Sequence, residues 1–544
     1  MFFQYVSLLR DQPPQEWIFE EQKGIADVNF KFKQKSPAMR FVMKTSALMQ
    51  KPLPREWLLS GESRLRKFDS KLIQKAIDCL RPDNFRITIV SQHYPGGWDK
   101  KEKWYGTEYK VEKIPRDFMA EIKEAAAKAP EQRLKALHLP HQNNFIPTNF
   151  DVEKKEVDKP AIEPKLVRND ARARTWFKKD DTFWVPKANV IVNFRSPIIY
   201  ASAATAVKTR IYTDLVKDAL EEYAYDADLA GLQYSVSYGP RALFLEVSGY
   251  NDKLSVLLEQ VLKTMRDLEI KEDRFEIVKE RLKRAYDNSE LQMSYQQVGD
   301  YIHWLGAERA YIVEEFAAEL PNVTAEAVRC HKRQLLGQMH IELYVHGNVY
   351  KKDAIQLTDL IQSTLNPRPL PQTQWPVNRA LIFPPGSNYV YQRTLKDPAN
   401  VNHCIEYLLF TGDKGDRMVR AKTLLLDQMV QEPAYDQLRT KEQLGYIVFS
   451  GARSLVTQYG FRFLLQSERL PQHLESRVDA FIELFSKQLQ DMSEEEFGAH
   501  KRSLVVRRLK KLENLDSESS RHWSQVATEY FDFDIGMSLP SLRL

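Results

Sequence analysis

Residues 438–448 read LRTKEQLGYIV and join a helical pattern to a strand pattern through a single glycine. The residues before Gly445 have helical spacing, whereas those after it alternate as in a β-strand. We expect Gly445 to permit the turn that ends the helix. Arg439 and Tyr446 then lie on either side of this turn, where both side chains can point at one ligand.

A weaker copy of this unit lies about 213 residues earlier. Three residues of the early copy align with three of the late one at separations of 212 to 214 positions, namely Asp214, Tyr223 and Gly231 with Asp427, Tyr435 and Gly445. At this offset Tyr225 aligns with Arg439, and Leu232 aligns with Tyr446. If both copies form the same helix, turn and strand, the fold requires the glycine but not the arginine and the tyrosine. Arg439 and Tyr446 are therefore candidates for chemistry.

The repeat extends over most of the chain. An amphipathic helix pattern recurs at residues 17–30, 275–286 and 497–509. Strand patterns at 85–90 and 341–345 close the first two units. The same spacing places the closing strand of the third unit about 20 residues beyond Leu544. We expect one complete unit and two incomplete ones.

Two polar, proline-bearing stretches divide the chain, an interdomain linker at 141–165 and a proline-rich connection at 367–385. They predict three units, with residues 1–140 incomplete, 166–366 complete and 386–544 truncated. Strand patterns and helix patterns alternate inside each unit. This order predicts an α+β fold of tandem sandwich units, in which helices pack on mostly antiparallel sheets.

Composition indicates a globular protein that folds in water. The net charge of +5 is too small for general nucleic-acid binding. No uninterrupted apolar run approaches the roughly 18 residues of a membrane span. Three widely separated cysteines without a C-x-x-C pair suit a reducing compartment, so we expect a cytoplasmic protein.

Common catalytic motifs are missing from the sequence. The eleven histidines include no H-x-x-E-H or H-E-x-x-H pair, and no G-x-S-x-G, P-loop or G-x-G-x-x-G motif occurs. A basic run lies on the third recurring helix, at Arg507, Arg508, Lys510 and Lys511. Such a run forms either a solvated helix face or an anion site.

Residues 433–450, PAYDQLRTKEQLGYIVFS, resemble a signature in the C-terminal portion of the insulinase/pitrilysin family of inverzincin zinc metallopeptidases. Four further segments resemble the same family in the same order, WYGT at 104–107, NFIPTNF at 144–150, GYNDK at 249–253 and LESRV at 474–478. The resemblance covers residues 1 to about 534.

The resemblance implies a clamshell of homologous α+β domains enclosing a chamber in which small peptides are cut. Residues 1–140 resemble the later part of the second family domain, 166–366 the third and 386–544 the fourth. The family's zinc site, with its H-x-x-E-H motif, lies in the first domain, which this sequence lacks. We therefore expect that zinc belongs to the full-length enzyme, that this chain binds none, and that it is inactive alone.

By the same resemblance, Arg439 and Tyr446 match residues that reach the substrate carbonyl. A phenol and a guanidinium held in place stabilise the oxyanion that forms when water attacks a peptide bond. Tyr435 and Gly445 would line the adjacent substrate pocket. The alternative from the residues alone is an arginine that caps helix carbonyls and a tyrosine half-buried at a strand start.

The partners that the resemblance implies are peptide substrates, the missing N-terminal catalytic half, a second copy of the chain, and a polyanion such as ATP at the basic run. Glu513 and Asn514 replace lysines that the family pattern expects at that run. Two function classes remain open. One is the C-terminal part of a zinc endopeptidase, and the other is a non-catalytic peptide-binding or partner subunit of the same family.

Overall fold

The computed structural model describes residues 1–91, 93–94, 96–154 and 159–533. The chain forms two compact units, one made of residues 1–33 and 38–146 and the other of residues 34–37 and 147–544. In the described residues, no helix has the length and apolar character that crossing a membrane requires.

The first unit is mostly helical. Its described elements are α1 (Phe2–Arg10), α2 (Glu16–Lys31), α3 (Ala38–Met49), α4 (Ser70–Cys79), α5 (Arg116–Ala127) and the short antiparallel pair β1 (Lys100–Lys101) and β2 (Glu108–Tyr109). Helix α2 confirms the amphipathic pattern at 17–30. The strand predicted at 85–90 is wrong, because these residues have no strand neighbour in the described part and Val90 is 93% exposed. A strand needs a neighbour to satisfy its backbone N–H and C=O groups.

A seven-stranded mixed sheet forms the centre of the second unit. Its strands are β3 (Lys165–Asn169), β4 (Ala173–Lys179), β5 (Lys187–Arg195), β6 (Leu232–Tyr238), β7 (Ala242–Tyr250), β8 (Gln338–Gly347) and β9 (Arg368–Pro369). The order is β3-β4-β8-β5-β7-β6, with β9 beside β8. The β4–β8 and β8–β9 pairs are parallel and the other pairs are antiparallel. The strand predicted at 341–345 is confirmed as part of β8.

Helices cover one face of this sheet. The helices in this part of the chain are α6 (Ala203–Leu229), α7 (Asn251–Asp267), α8 (Glu272–Ser289), α9 (Ser294–Gly306), α10 (Val313–Glu319), α11 (Ala325–Gly337) and α12 (Lys351–Leu365), and not all of them contact this sheet. Helices α6, α7, α11 and α12 contact the strands, and α8 and α10 pack outside them on α6. The central strands β5 and β8 are buried along nearly their whole length, as expected for strands covered on both faces. Other elements must therefore also pack on the second face of this sheet.

A smaller sheet follows. It contains β10 (His403–Asp413), β11 (Ile447–Ser454) and β12 (Gln458–Ser467) in the antiparallel order β10-β12-β11. The described helices in this part of the chain are α13 (Arg417–Ala434), α14 (Pro471–Asp491), α15 (Glu494–Arg508) and α16 (Leu515–Thr528). The order β10-β12-β11 repeats β5-β7-β6 of the larger sheet. The α+β class with mostly antiparallel sheets is confirmed.

Helices α9 and α16 occupy equivalent places in the repeat, because each follows the recurring amphipathic helix. Helix α9 packs on β10 and β12 of the small sheet, whereas α16 packs on β5 and β8 of the large sheet. The second face of each sheet is thus covered by a helix that belongs to the other copy of the repeat. The stretch 367–385 also joins the large sheet, through β9 and through Trp375, whose ring lies 5.0 Å from the guanidinium of Arg174.

Polar groups lie buried beneath α16. Glu342 on β8 is fully buried and pairs with Arg174 and Arg195, and it accepts a hydrogen bond from Trp176 Nε1 at 2.8 Å. The helix itself is held by two histidines: His346 Nδ1 lies 2.7 Å from Ser519 Oγ, and His522 Nδ1 lies 2.9 Å from the Tyr344 hydroxyl. Burial lowers the pKa of His346 well below its ordinary value and lowers that of His522 to about 4.

Acid should therefore unfold this unit. A histidine with a lowered pKa in the folded state contributes stability that is complete above about pH 6.5 and is lost as the pH falls toward about 4. Each such histidine steepens the fall of the unfolding free energy by at most about 1.4 kcal/mol per pH unit in that window. Urea unfolding at several pH values measures the slope. In His522→Gln we expect a shallower slope between pH 6.5 and 4, and an unchanged slope would contradict the assignment.

Candidate functional site

The candidate site begins where α13 changes its winding. Residues Tyr435–Lys441 continue α13 as a π-helical turn, which is rare and frequently lies at functional sites. Leu438 is fully buried in the small-sheet core and fixes the inner side of the turn. Arg439 follows it and is half-buried, while Tyr435 at the first position of the turn is 53% exposed.

The turn itself differs from the prediction. Backbone hydrogen bonds from Glu442 N to Gln437 O (3.0 Å) and from Leu444 N to Leu438 O (3.1 Å) close it. The residue in the left-handed region is Gln443, with φ 51°, and not Gly445. The expectation that Gly445 permits the turn is wrong for this reason.

Gly445 is needed for a different reason. A Cβ atom at this position would lie 1.9 Å from the main-chain oxygen of Gln466 on β12, which is a severe clash with backbone. The absence of a side chain lets the segment that enters β11 approach β12 closely. This contact fixes the position of the next residue, Tyr446, which directly precedes β11.

An ion pair that the sequence reasoning missed stabilises the turn from α14. Glu442 accepts hydrogen bonds from Arg477 Nε at 2.6 Å and Nη2 at 2.9 Å, and a third from Gln437 Nε2 at 2.7 Å. The hydrogen bond from Arg477 lowers the pKa of Glu442, which keeps the carboxylate ionised. Both residues lie in segments that carry the family resemblance, 433–450 and 474–478. The presence of both residues in family-like segments could have indicated that they form a pair.

The structure brings Arg439 and Tyr446 together. The guanidinium carbon of Arg439 lies 5.4 Å from the centre of the Tyr446 ring, within the range of a cation–π contact. The Tyr446 side chain is 85% exposed. Arg439 Nε is buried and has no hydrogen-bond partner among the described residues. The pair therefore presents a hydroxyl and a guanidinium to the space beside the turn.

The four predicted basic residues also come together. Arg507, Arg508, Lys510 and Lys511 line a cavity of about 650 Å3, joined by Arg521 from α16, which the sequence reasoning missed. Burial and the neighbouring cations, Arg521 first, lower the pKa of Arg508. Glu513 lines the same cavity and holds Lys510 at 2.6 Å. Positive charge thus exceeds negative charge in this cavity.

Metal ligands are not grouped in the described part of the chain, where no cluster of three or more His, Cys, Asp or Glu side chains is placed to hold an ion. Four histidines, His331, His340, His346 and His522, are buried in packing. The described residues therefore do not fit a zinc ion.

Comparison with known proteins places these features in a family. A family model described as the middle or third domain of peptidase M16 matches residues 30–319, which is more than half of the 544 residues. A second model, described as the C-terminal lobe domain 4 of PqqF-like PQQ synthase, matches residues 425–523 and so includes the candidate site.

Relatives match along nearly the whole chain. The putative zinc protease mug138 of Schizosaccharomyces pombe is 37% identical over 98% of this chain and 54% of its own length. The insulin-degrading enzyme of Homo sapiens is 36% identical over 98% of this chain and 52% of its own length. The A-factor-processing enzyme of Saccharomyces cerevisiae is 33% identical over 98% of this chain and 51% of its own length. The chain thus spans about half the length of the curated relatives that it matches.

A solved structure supports the same fold. The crystal structure of pitrilysin superimposes with a TM-score of 0.74 at 24% identity, over 99% of this chain and 56% of the pitrilysin chain. With the family model, the relatives and the fold in agreement, the resemblance to the insulinase/pitrilysin group is confirmed, and the chain belongs to the M16 family of peptidases.

Proposed function

We propose that this chain is the C-terminal part of an insulinase-type zinc metalloendopeptidase that cleaves small peptides in an enclosed chamber. In this proposal Arg439 and Tyr446 bind the substrate carbonyl and stabilise its oxyanion, and the metal site is supplied by a part of the enzyme outside this sequence. The observation that carries the proposal is the placement of the Tyr446 hydroxyl and the Arg439 guanidinium side by side at a rigid turn. The chain is inactive alone.

The chemistry follows from preorganisation. When a peptide carbonyl is attacked, its oxygen gains negative charge, and donors already in place stabilise that charge without reorganising. The Glu442–Arg477 pair and the approach of Gly445 to Gln466 fix the two ends of the turn that carries the donors. Arg439 supplies a permanent positive charge and Tyr446 an O–H donor.

The proposal extends to the substrate pocket, the domains, the oligomeric state and the compartment. Tyr435 and Gly445 line the pocket for the substrate next to the scissile bond. Residues 1–140, 166–366 and 386–544 correspond to parts of the second, third and fourth family domains, and a second copy of the chain completes a dimer. The three free cysteines, Cys79, Cys330 and Cys404, suit a cytoplasmic enzyme.

The first prediction from the proposed function tests the carbonyl donors in an active complex. The half of the Schizosaccharomyces pombe relative that this chain does not cover is fused in front of residue 1 or added as a separate chain, and peptide cleavage is measured with a quenched fluorogenic peptide. We expect activity to appear. Tyr446→Phe and Arg439→Ala should each lower kcat by about 100-fold or more with little change in KM, because they remove donors used mainly in the transition state.

The internal repeat provides matched controls. Tyr225→Phe and Leu232→Ala alter the positions equivalent to Arg439 and Tyr446 in the copy of the repeat that carries the seven-stranded sheet. Tyr225 is also exposed, at 64%. These two variants should keep kcat unchanged apart from any loss of stability. Near-normal kcat in both Tyr446→Phe and Arg439→Ala would remove the catalytic assignment and leave the helix-cap alternative.

The second prediction concerns the isolated chain. Because the described residues form no metal-ligand group, the purified chain should contain substoichiometric zinc after dialysis and should not cleave the fluorogenic peptide. Elemental analysis and the cleavage assay measure the two properties. One tightly bound zinc per chain together with chelator-sensitive cleavage would contradict this prediction. An inactive chain whose fusion also stays inactive would favour the non-catalytic partner subunit, which is the alternative function.

A second function rests on the basic cavity. We propose that Arg507, Arg508, Lys510 and Lys511, with Arg521, bind a polyanion such as ATP. The excess of positive charge and the lowered pKa of Arg508 support this proposal, because an anion would relieve the repulsion among the cations.

The third prediction tests this cavity with tripolyphosphate as the probe. Isothermal titration should show binding that weakens by about tenfold in a Lys510→Ala/Lys511→Ala double variant and that falls as salt screens the charges. Lys487→Ala, an exposed lysine of α14 outside the cavity, is the control and should bind normally. Equal affinity of the double variant and the control would refute the polyanion site.

A further inference from the structure

A second cavity lies on the outer side of β10. Its volume is about 420 Å3, within the range of roughly 300–1,000 Å3 that small-ligand pockets occupy. Helix α9 forms one wall, and the segment 391–404 forms the other. The apolar and aromatic side chains that line it are Val298, Tyr301, Tyr391, Leu395, Pro398 and Pro471. None of the residues assigned above to substrate or polyanion binding belongs to this cavity.

Two tyrosine rings dominate the wall. The rings of Tyr301 and Tyr391 lie 5.7 Å apart, and Tyr391 also packs 6.0 Å from Trp304. The side chain of Tyr391 remains 44% exposed, so part of its ring is open to a ligand. Aromatic rings at such distances favour a further ring in an edge-on or offset stack.

The guanidinium and the phenol at this wall are already paired with one carboxylate. Arg393 pairs with Glu314 at 2.5 Å, and the Tyr301 hydroxyl donates to the same carboxylate at 2.6 Å. Burial and this hydrogen bond raise the pKa of Tyr301, so the phenol stays protonated. The Asp397 carboxylate accepts the backbone N–H of Ala399 at 2.9 Å, a neutral donor that leaves its negative charge in place. An anionic ligand would therefore meet a carboxylate at this wall.

Neutral side chains line part of the cavity floor. Burial raises the pKa of the Cys404 thiol to about 12, so it stays protonated. Asn400 and Asn402 add amide groups that can donate and accept hydrogen bonds, and the Asn400 side chain already orders the segment by accepting from Asn402 N at 3.0 Å. The chemistry suits an uncharged aromatic group attached to backbone amides.

The cavity also connects to the candidate site through one residue. Ser294, which lines the cavity, donates to Gln466 Oε1 at 2.9 Å, and Cys404 pairs with Gln466 across the sheet. The main-chain oxygen of Gln466 is the atom that Gly445 approaches. One strand, β12, therefore separates the cavity floor from the strand that Tyr446 precedes.

We propose that this cavity binds an uncharged aromatic side chain of a peptide, with its ring packed against the exposed part of Tyr391 beside Tyr301 and the peptide amides at Asn400 and Asn402. The site is a binding anchor separate from the carbonyl donors. It does not depend on the catalytic assignment, and it is tested on the chain as it stands.

The probe is N-acetyl-phenylalanine amide, with binding followed by calorimetry or by changes in NMR signals. Saturable binding is expected, whereas N-acetyl-aspartate amide should bind at least about tenfold more weakly. Tyr391→Ala should weaken binding by about tenfold, Tyr391→Phe should preserve it, and Val298→Trp should abolish it by filling the cavity. Tyr389→Ala changes a neighbouring exposed tyrosine outside the cavity and should bind like the unchanged chain.

The peptide origin of the ring is tested with a capped peptide of about six residues that carries one central phenylalanine. At least tenfold tighter binding than the single amide supports a peptide ligand, and equal binding overturns that part of the proposal. Circular dichroism melting identifies variants that fail to fold. The absence of saturable binding in the unchanged chain, or unchanged affinity in folded Tyr391→Ala and Val298→Trp, overturns the whole proposal.

Discussion

The second unit depends on the reciprocal exchange of α9 and α16. Each sheet carries helices on one face from its own part of the repeat and receives the cover of its other face from the opposite part. Without α16 the buried side chains of His346 and Tyr344 on β8 would lose their partners Ser519 and His522. The exchange therefore joins the two repeats into one folded unit, consistent with the single compact unit from residue 147 onward.

Both covered faces bury a carboxylate between arginines. Glu342 lies with Arg174 and Arg195 at the end of α16, where the cap residue Glu529 pairs with both arginines. Glu406 on β10 lies between Arg453 at 3.0 Å and Arg462 at 3.7 Å. Arg453 also donates to a carbonyl of α9, at Gly299. Breaking a buried ion pair by removing one partner is costly, because it leaves an uncompensated charge. Such pairs favour one position of each exchanged helix over others, because a shifted helix would leave a buried charge without its partner.

The candidate site uses the rigidity that this arrangement supplies. The small sheet fixes Gln466, which holds Gly445 through main-chain contact and α9 through its side chain. On the other side Arg477 of α14 fixes Glu442. The two donors thus project from a turn whose ends are fixed by a sheet and two helices. Positioned donors of this kind are what oxyanion stabilisation requires.

The sequence by itself determined the fold class, the three recurring helices, the helix and strand on either side of Gly445, the repeat and the pairing of Arg439 with Tyr446. These features arise from local periodicity and from a long, specific segment, so they can be seen without long-range contacts. The sequence indicated that Gly445 matters, but for the wrong reason. The clash that a side chain there would make with Gln466 depends on a neighbouring strand, which the local sequence does not show. It also predicted a strand at 85–90, where apolar alternation is present but no neighbouring strand is described.

Only the tertiary structure decided which sheet each of α9 and α16 covers. Their amphipathic patterns show that one face must be buried, but they do not say against what. The same limit applies to Arg477 and Ser294, which lie 35 and 172 residues from their hydrogen-bond partners Glu442 and Gln466. It also applies to Arg521, which joins the basic cavity from a different helix. Contacts between distant segments follow from how the sheets and helices pack together, and packing is a property of the whole fold and not of any local pattern.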